Sequence, residues 1–333
     1  MKIFISGIAG FLGSYLADAF IKLGHSVSGC DNLSGGYPEN VPAKANWEVA
    51  DLCDLPSMLR LTKGIDIVYH CAATAYEGLS VFSPYHVTQN IVGASVALIT
   101  ASIQNKVKRF VYCSSMARYG KNIVPFTEDM LPAPQDPYGI GKVAGEKLLQ
   151  NLALIHGMSY VIAVPHNIIG PRQKFDDPYR NVASIMINLM LQGRQPIIYG
   201  DGMQKRCFSY IDDVVDILTQ FALRQDINGE IFNVGPDEEF VTINQLAGMI
   251  AEIIDFPLKP VYMPDRPQEV KHANCSAEKI RKFFGYKTRF SLYEGLQEMV
   301  KYIKKRGTKP FQYHISLEIE NERTPETWKK KIF

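Results

Sequence analysis

The chain has little that would indicate disulfide bonds, a metal site or a membrane anchor. Its six cysteines are dispersed without CxxC spacing, so neither a zinc site nor a disulfide framework is indicated. No apolar run approaches the roughly 18 residues that a membrane span needs. From these absences we expect no metal, no membrane partner and a reducing compartment, the cytoplasm.

The chain also lacks a clear excess of positive or negative charge. The chain holds 36 Lys and Arg residues against 34 Asp and Glu residues, which leaves a net charge of +2. A balance this close to neutral gives no electrostatic argument for binding nucleic acid or an anionic surface. We therefore expect no nucleic-acid partner.

What the chain does have is a large apolar content and a regular alternation of elements. Its 333 residues are 46% hydrophobic, which suits one large globular domain or two intimate ones. Strand-like and helical patterns alternate through the first half, which implies an α/β fold with a parallel, doubly wound sheet of Rossmann type. The predicted strands are residues 2–6, 27–30, 65–70, 109–113 and 160–164, and the predicted helices are residues 11–23, 89–104 and 137–156.

After Gly170 the alternation loosens, and proline-containing loops separate the helical patterns. We interpret this part as a smaller substrate-binding region laid over the C-terminal edge of the sheet, where ligands usually bind in this class. The predicted division is 1–165 for the Rossmann domain, 166–306 for the smaller region, interleaved with the sheet, and 307–333 for a C-terminal extension of unknown role. Helices are predicted at 182–191, 214–223, 243–254 and 292–305.

Gly7, Gly10 and Gly13 form a GxxGxxG pattern between the first predicted strand and helix. Such a turn lets the backbone approach a pyrophosphate closely, and the free amides of the helix N-terminus face the negative charge. Asp31 ends the second strand, at the place where a carboxylate accepts hydrogen bonds from ribose hydroxyls and repels a 2′-phosphate. No arginine follows in Asn32 and Leu33, so the pattern favours NAD over NADP.

Tyr138 and Lys142 are four residues apart in PYGIGKVAGEK. On a helix this spacing places both side chains on one face, so the ammonium lies near the phenol. A neighbouring positive charge favours phenolate and lowers a pKa that is about 10 when unperturbed. Tyr138 is then a candidate general base near neutral pH. The alternative is a surface tyrosine with a chance lysine, and only the context decides between the two.

That context is a series of further motifs in a fixed order: GIAGFLG at the N-terminus, then HCAA, QNIVGA, CSS and RCFSYIDD. With Tyr138 and Lys142, they resemble the extended short-chain dehydrogenase/reductases, specifically the NAD-dependent sugar-nucleotide epimerase/dehydratase family and its UDP-hexose 4-epimerases. The resemblance covers residues 2–305 and leaves 307–333 outside it.

The resemblance implies a catalytic trio of Ser115, Tyr138 and Lys142. Ser115 would hydrogen-bond the reacting sugar oxygen, and Lys142 would also hold the nicotinamide ribose. Without the resemblance, Ser115 is typical of a turn after a strand, and Asn90 is equally typical of a helix cap. The implied cofactor positions are Gly7, Gly10, Phe11, Leu12, Gly13, Asp31, Asn32, Asp51, Leu52, Ala72, Ala73 and Asn90, together with Tyr138 and Lys142.

The resemblance also implies where a nucleotide sugar binds. Arg206 and Arg266 match positions that hold the diphosphate, which suits a planar guanidinium that meets phosphate oxygens bidentately. Ala273 matches a position where a small residue admits an N-acetyl group at C2 of the sugar. Glu77 either accepts from sugar hydroxyls or faces solvent. The implied substrate positions are Tyr76, Ser115, Asn167, Arg206, Arg266 and Ala273.

The positions after Ser115 separate the reactions of this family. Its 4,6-dehydratases carry an Asp-Glu pair there, whereas this chain has Met116 and Ala117, neither of which exchanges a proton. The resemblance therefore implies 4-epimerisation of a UDP-hexose or UDP-N-acetylhexosamine, by transient oxidation at C4 and return of hydride to the opposite face. A nucleotide-sugar oxidoreductase or decarboxylase on the same scaffold is an alternative, and a non-catalytic NAD-binding module is another.

Three smaller expectations complete the prediction. Arg118 is interpreted as a core-edge arginine paired with an acid, or else as a contact to a substrate carboxylate or a partner subunit. Pro165 and His166 depart from the family pattern before Asn167. The helices at 89–104 and 137–156 correspond to those that form a four-helix bundle across the family's dimer, so the resemblance implies a homodimer.

Overall fold

The computed structural model describes residues 1–267 and 269–333. Its strands alternate with helices through the first half of the chain, as the sequence predicts. The strands are β1 (Lys2–Ser6), β2 (Ser26–Asp31), β3 (Asn46–Val49), β4 (Ile67–His70), β5 (Arg109–Cys113), β6 (Ser159–Pro165), β7 (Ile168–Ile169), β8 (Ile197–Tyr199), β9 (Lys205–Arg206), β10 (Ser209–Tyr210), β11 (Ile231–Val234), β12 (Val241–Thr242), β13 (Val261–Met263) and β14 (His272–Ala273).

Twelve α-helices lie in the described residues. Six of the seven predicted helices start and end within three residues of the predicted bounds. The helices are α1 (Phe11–Lys22), α2 (Leu55–Leu61), α3 (Glu77–Ser80), α4 (Pro84–Thr88), α5 (Ala94–Gln104), α6 (Pro137–His156), α7 (Val182–Leu191), α8 (Ile211–Gln220), α9 (Ile243–Ile254), α10 (Glu278–Phe284), α11 (Leu292–Arg306) and α12 (Glu326–Lys329).

Seven parallel strands form the central sheet in the order β11-β6-β5-β4-β1-β2-β3. The chain runs outward from β1 to β3, returns to place β4 on the other side of β1, and continues to β6 and β11. The strand order therefore reverses between β1 and β4, and ligands bind at such a switch point. This arrangement confirms the predicted Rossmann-type α/β fold.

The two faces of the sheet bury separate apolar clusters because successive strand residues point to opposite sides. Ile3 and Ile5 of β1 pack with α1 and α8, whereas Phe4 packs with α5 and α6. Every residue of β5 is buried. Burial on both faces explains why these strands are nearly continuous apolar runs.

Helix α6 shows why the local sequence predicts its ends so well. The Asp136 carboxylate accepts a hydrogen bond from the Gly139 amide at 2.8 Å, and Pro137 occupies the first helical position. The helix stops at Gly157, whose φ of 70° is left-handed. Tyr138 and Lys142 are thus held on a helix with defined limits.

The helix predicted at 89–104 begins earlier, at Pro84, and contains a π-helical turn at Gln89–Gly93 between α4 and α5. Contrary to our expectation, the continuous run Pro84–Gln104 is long and apolar enough to cross a membrane by length and composition alone. Half of its apolar window is buried inside the protein, and it packs against α2 and α6.

The second half of the chain packs helices α7, α9 and α11 around a third apolar cluster, with Met186, Leu246 and Leu296 at its centre. Short strands β7 to β10 and β12 to β14 form small separate sheets, while β11 rejoins the central sheet. The division at 165 and 306 stays a prediction. After α11, residues 307–333, here named the C-terminal segment, contain one short helix, α12.

Candidate active site

A cavity of about 410 Å³ lies at the C-terminal ends of β1, β2, β4 and β5. It collects most of the residues that the sequence analysis selected, although they are spread over more than 250 positions of the chain. Those that line it are Gly7, Gly10, Phe11, Leu12, Gly13, Asp31, Asn32, Asp51, Leu52, Ala72, Ala73, Asn90, Ser115, Tyr138, Asn167, Arg206 and Arg266.

The glycine loop is tight enough to require its glycines. Gly7 has a φ of +72°, a left-handed conformation that side chains disfavour. A Cβ on Gly13 would lie 2.2 Å from the Gly7 carbonyl oxygen, and a Cβ on Gly7 would lie 2.9 Å from the Ala72 Cα. The loop leads directly into α1, whose N-terminal amides are available to an anion.

Asp31 faces this loop from the end of β2. Its carboxylate accepts hydrogen bonds from the Ala9 amide at 3.0 Å and the Leu33 amide at 2.8 Å. Burial raises the pKa of Asp31, and these amide hydrogen bonds act in the opposite direction. The glycine loop with a carboxylate at this position fits the pyrophosphate and ribose of NAD.

Asn90 lies within the π-helical turn rather than at a helix start, so it is not a cap. Its side-chain amide donates to the His86 carbonyl at 2.8 Å, and Asn90 lines the cavity. Turns of this kind within helices are frequent at functional sites. The position agrees with a role beside the cofactor.

Ser115, Tyr138 and Lys142 come together where β5 ends beside α6. The Lys142 ammonium donates to the Cys113 carbonyl at 2.8 Å and lies 6.0 Å from the centroid of the Tyr138 ring. Lys142 is buried and does not line the cavity, whereas Ser115 and Tyr138 do. The two hydroxyls are therefore the members of the trio that face a substrate.

The electrostatics of Tyr138 differ from the simple expectation. Burial raises its pKa above the ordinary value, and the Ser115 hydroxyl, by hydrogen bonding, is the largest influence in the opposite direction. The negative charge of Glu77 raises the pKa further, while the Arg180 guanidinium lowers it. Lys142 is not among these influences, so the lowering that the sequence analysis assigned to it is not seen here.

Burial lowers the pKa of Lys142 to about 8, against opposing contributions from Cys113, Cys71 and Glu146. Lys142 therefore keeps its proton at neutral pH. The lysine is a buried positive charge directly behind the tyrosine, and it would become neutral as pH rises above about 8.

Arg118 is paired with an acid, which agrees with the favoured interpretation. Its Nε lies 3.0 Å from an oxygen of Glu146, and both side chains are almost fully buried. Glu146 stands one helical turn after Lys142, and its carboxylate also accepts from the Ser114 hydroxyl. The ion pair thus joins the catalytic helix to the strand end that carries Ser115.

The far end of the cavity carries the residues expected to hold a diphosphate. Arg266 binds Glu269 with two hydrogen bonds of 3.2 Å, and Arg206 lies 3.9 Å from the same carboxylate. Asn167 donates to the Cys207 carbonyl at 2.9 Å. Both guanidiniums line the cavity and are held close together by one acid.

Two implied substrate residues do not line the cavity. The Tyr76 hydroxyl donates to Asp177 at 2.7 Å, and the ring is buried. Glu77 and Gly78 face the cavity instead. Ala273 is 4% exposed and packs in the core beside β9, so its role in admitting an N-acetyl group stays a prediction.

Glu77 and Arg180 add charge to the centre of the cavity. The Glu77 side chain is partly open to solvent, but protein atoms surround its carboxyl group. The resulting desolvation and the nearby Asp136 charge raise the pKa of Glu77 to about 7. Arg180 is bound to Asp177 at 3.3 Å. Sequence reasoning missed Arg180 and Glu269 because no local motif marks them, and Asp136 because its local signal is that of a helix cap.

Comparison with known proteins agrees with this geometry. The model of the NAD dependent epimerase/dehydratase family matches residues 3–235. The chain is 32% identical to a UDP-glucose 4-epimerase of Mycolicibacterium smegmatis, over 92% of this chain and 100% of that protein. It is 30% identical to a UDP-N-acetyl-alpha-D-glucosaminuronate decarboxylase of Bacillus cytotoxicus, over 90% and 97%.

A solved structure shares most of this fold. The UDP-glucose 4-epimerase of Thermotoga maritima, determined with UDP-glucose, matches with a TM-score of 0.86 at 33% identity, covering 92% of this chain and 99% of that chain. The family match also confirms the predicted cofactor, NAD. The chain therefore belongs to the NAD dependent epimerase/dehydratase family.

Proposed function

We propose that the protein is a nucleotide-sugar 4-epimerase that acts on a UDP-hexose or a UDP-N-acetylhexosamine. One observation carries the proposal: Ser115 and Tyr138 open into the same cavity as the glycine loop at one end and Arg206 and Arg266 at the other. A sugar joined to a diphosphate would then present its ring to the two hydroxyls. The similarity to UDP-glucose 4-epimerases supports this assignment.

The protein's own side chains would transfer one proton, that of the reacting sugar hydroxyl. With the diphosphate on Arg206 and Arg266, Ser115 would fix the sugar hydroxyl and Tyr138 would take its proton, then return it. The Ser115 hydroxyl and the Arg180 guanidinium, which both act to lower the pKa of Tyr138, would stabilise the phenolate that forms. Lys142, buried and positively charged at neutral pH, would hold the nicotinamide ribose. Bound NAD would supply the hydride acceptor and donor for the same carbon.

Met116 and Ala117 support epimerisation over dehydration. Met116 lines the cavity beside Ser115, and neither side chain carries an ionisable proton. No acid therefore stands at the positions where the family's dehydratases carry theirs.

A decarboxylase or net oxidoreductase is the alternative, and a decarboxylase is among the similar proteins. The site gives it less support. Arg118, the candidate partner for a substrate carboxylate, already forms an ion pair with Glu146. Stoichiometric NADH or carbon dioxide would establish the alternative, whereas an epimerase releases neither.

The test of the catalytic assignment is Tyr138→Phe, which removes the proton-transferring hydroxyl and keeps the ring. Turnover should fall by about 10²–10⁴-fold while NAD remains bound, as measured by NMR of the product and by cofactor fluorescence. Tyr160→Phe is the matched control, because Tyr160 lies on β6 away from the cavity. Full activity in Tyr138→Phe would refute the mechanism.

We also propose a homodimer that pairs α5 and α6 with their copies. Val96, Ile140 and Leu154 are exposed apolar side chains on these two adjacent helices. A twofold axis along them would bury both sets in one isologous interface. Sedimentation of the wild type should give a dimer and Leu154→Glu a monomer; a monomeric wild type would contradict the proposal.

A cytoplasmic location is likewise a proposal. It is supported by the six free cysteines, of which Cys71 and Cys113 approach within 3.8 Å as thiols. Cell fractionation tests it, and recovery in a secreted fraction would oppose it.

A further inference from the structure

The C-terminal segment lies across the substrate end of the protein. The amide of Glu318 donates to the Phe82 carbonyl at 2.9 Å. The Glu318 carboxylate accepts from the amides of Tyr85 and His86 at 2.8 Å each, at the start of α4, where an acid also complements the helix dipole. The segment is thus anchored to the residues that follow α3, the helix that carries Glu77.

The side chain of Trp328 packs behind α3. Its ring packs edge-on against Phe82 and Tyr179, with centroid distances of 6.0 and 5.7 Å. A Cβ on Gly78 would lie 3.4 Å from the ring, so α3, which begins at Glu77, rests directly on Trp328. The ring is 4% exposed.

Thr327 contacts Tyr199, and the Tyr199 ring in turn packs against Arg266, one of the two proposed diphosphate arginines. Its hydroxyl is hydrogen-bonded to the Tyr199 hydroxyl. The Arg266 guanidinium lies 4.6 Å from the centroid of the Tyr199 ring, a cation–π distance. The side chain of Thr327 therefore fixes the ring on which Arg266 rests.

A second cavity, of about 160 Å³, lies beyond the arginines. It shares Asn167, Arg206 and Arg266 with the first cavity, and also Glu77, Arg180, Asn181 and Glu269. The two cavities therefore meet around the proposed diphosphate site and the charged residues beside it. Trp328 and Phe333 of the C-terminal segment form part of its wall. The remaining wall combines apolar side chains, such as Ile185, Ile198 and Phe208, with polar ones, such as Asn181 and Gln204.

A diphosphate links the sugar to a nucleoside. If the sugar lies on the Tyr138 side of the arginines, as the proposed function requires, the nucleoside must lie on the other side. We propose that the C-terminal segment completes this nucleoside site: Trp328 and Phe333 contact the nucleoside of the substrate, and Thr327 is a positioning residue for Arg266. Apolar and aromatic walls suit a planar base.

The test measures binding of UDP to the full-length, NAD-loaded protein by titration calorimetry. Phe333→Ala and Trp328→Ala should each weaken UDP binding by about tenfold or more and raise KM for UDP-glucose, with kcat within about twofold of wild type. NAD affinity and the thermal unfolding midpoint report whether the fold is intact. Phe333 is the decisive position, because it is only partly buried and its truncation should disturb the fold less than that of Trp328.

Ile319→Ala is the matched control. Ile319 belongs to the same segment and is 45% exposed, but it lines neither cavity. It should bind UDP as the wild type does. For Thr327, the valine variant should raise KM and the serine variant should restore it, because serine keeps the hydroxyl that Tyr199 requires.

The outcomes are separable. Wild-type affinity for UDP in Phe333→Ala, with an intact fold, overturns the nucleoside site and leaves the proposed function standing. A wild-type protein that binds NAD but none of UDP, GDP, CDP and dTDP overturns the proposed function, and this inference with it.

Discussion

The buried ion pair between Arg118 and Glu146 should contribute strongly to the stability of the fold around α6, the helix that carries Tyr138 and Lys142. Glu146 is 1% exposed, and its carboxylate interacts with the Arg118 guanidinium and the Ser114 hydroxyl. Arg118→Met would leave that carboxylate buried without its charge partner. Breaking a buried pair in this way costs about 3–5 kcal/mol, a large part of the roughly 5–15 kcal/mol that stabilises a typical protein.

Urea unfolding followed by circular dichroism measures the loss. The double variant Arg118→Met/Glu146→Leu should recover most of it, because two apolar residues in place of a buried pair are often neutral or stabilising. Arg60→Met is the control for an arginine that is paired on the surface: Arg60 and Glu48 are 59% and 40% exposed, and such pairs contribute little.

KM separates the structural role of Arg118 from a role in substrate binding. Arg118 does not line the cavity, so the folded variant should bind the nucleotide sugar with wild-type KM. An Arg118→Met variant that unfolds at the wild-type urea concentration but shows a raised KM would refute this reasoning and assign Arg118 to the substrate.

Three further predictions concern the cofactor and the base. Asp31→Ala should weaken NAD binding and relax the discrimination against NADP, as measured by titration of both cofactors; unchanged affinity for both would contradict the assignment. Gly13→Ala should abolish NAD binding, since its Cβ would lie 2.2 Å from the Gly7 carbonyl oxygen, and retained binding would show that the loop is not the pyrophosphate site. Glu77→Gln removes a charge that raises the pKa of Tyr138, so the acidic limb of the kcat/KM profile should move to lower pH; movement to higher pH would oppose the role of Tyr138 as base.

The features that the sequence predicts well are those set by neighbouring residues. The glycine loop follows from the spacing of Gly7, Gly10 and Gly13 between a strand and a helix. The bounds of α6 follow from Asp136, Pro137 and Gly157, whose caps and stop signals are local. These patterns also explain why the cofactor end of the cavity contains all the residues expected there except the buried Lys142.

The remaining features depend on contacts between distant parts of the chain. Tyr76 turns away from the cavity because Asp177, about a hundred residues later, accepts from its hydroxyl. Arg180 enters the cavity from an irregular loop with no motif of its own. Ala273 is buried because β14 pairs with β9, a register that spacing from Arg266 does not reveal.

The C-terminal segment is the clearest case. Outside the resemblance, it carries no motif, and its sequence alone assigns it no role. Its position becomes evident only when Trp328 and Phe333 are seen beside Arg206 and Arg266. The fold therefore adds a proposed determinant of substrate choice that neither periodicity nor family pattern could show.

The central claim, inversion at C4 of a nucleotide sugar without net oxidation, is tested most directly with UDP-glucose carrying deuterium at C4. The account predicts that NMR shows UDP-galactose with the deuterium retained at C4, and that no NADH accumulates in solution. Deuterium lost to solvent, accumulation of NADH, or no inversion at C4 with this sugar or with UDP-N-acetylglucosamine labelled in the same way would contradict it.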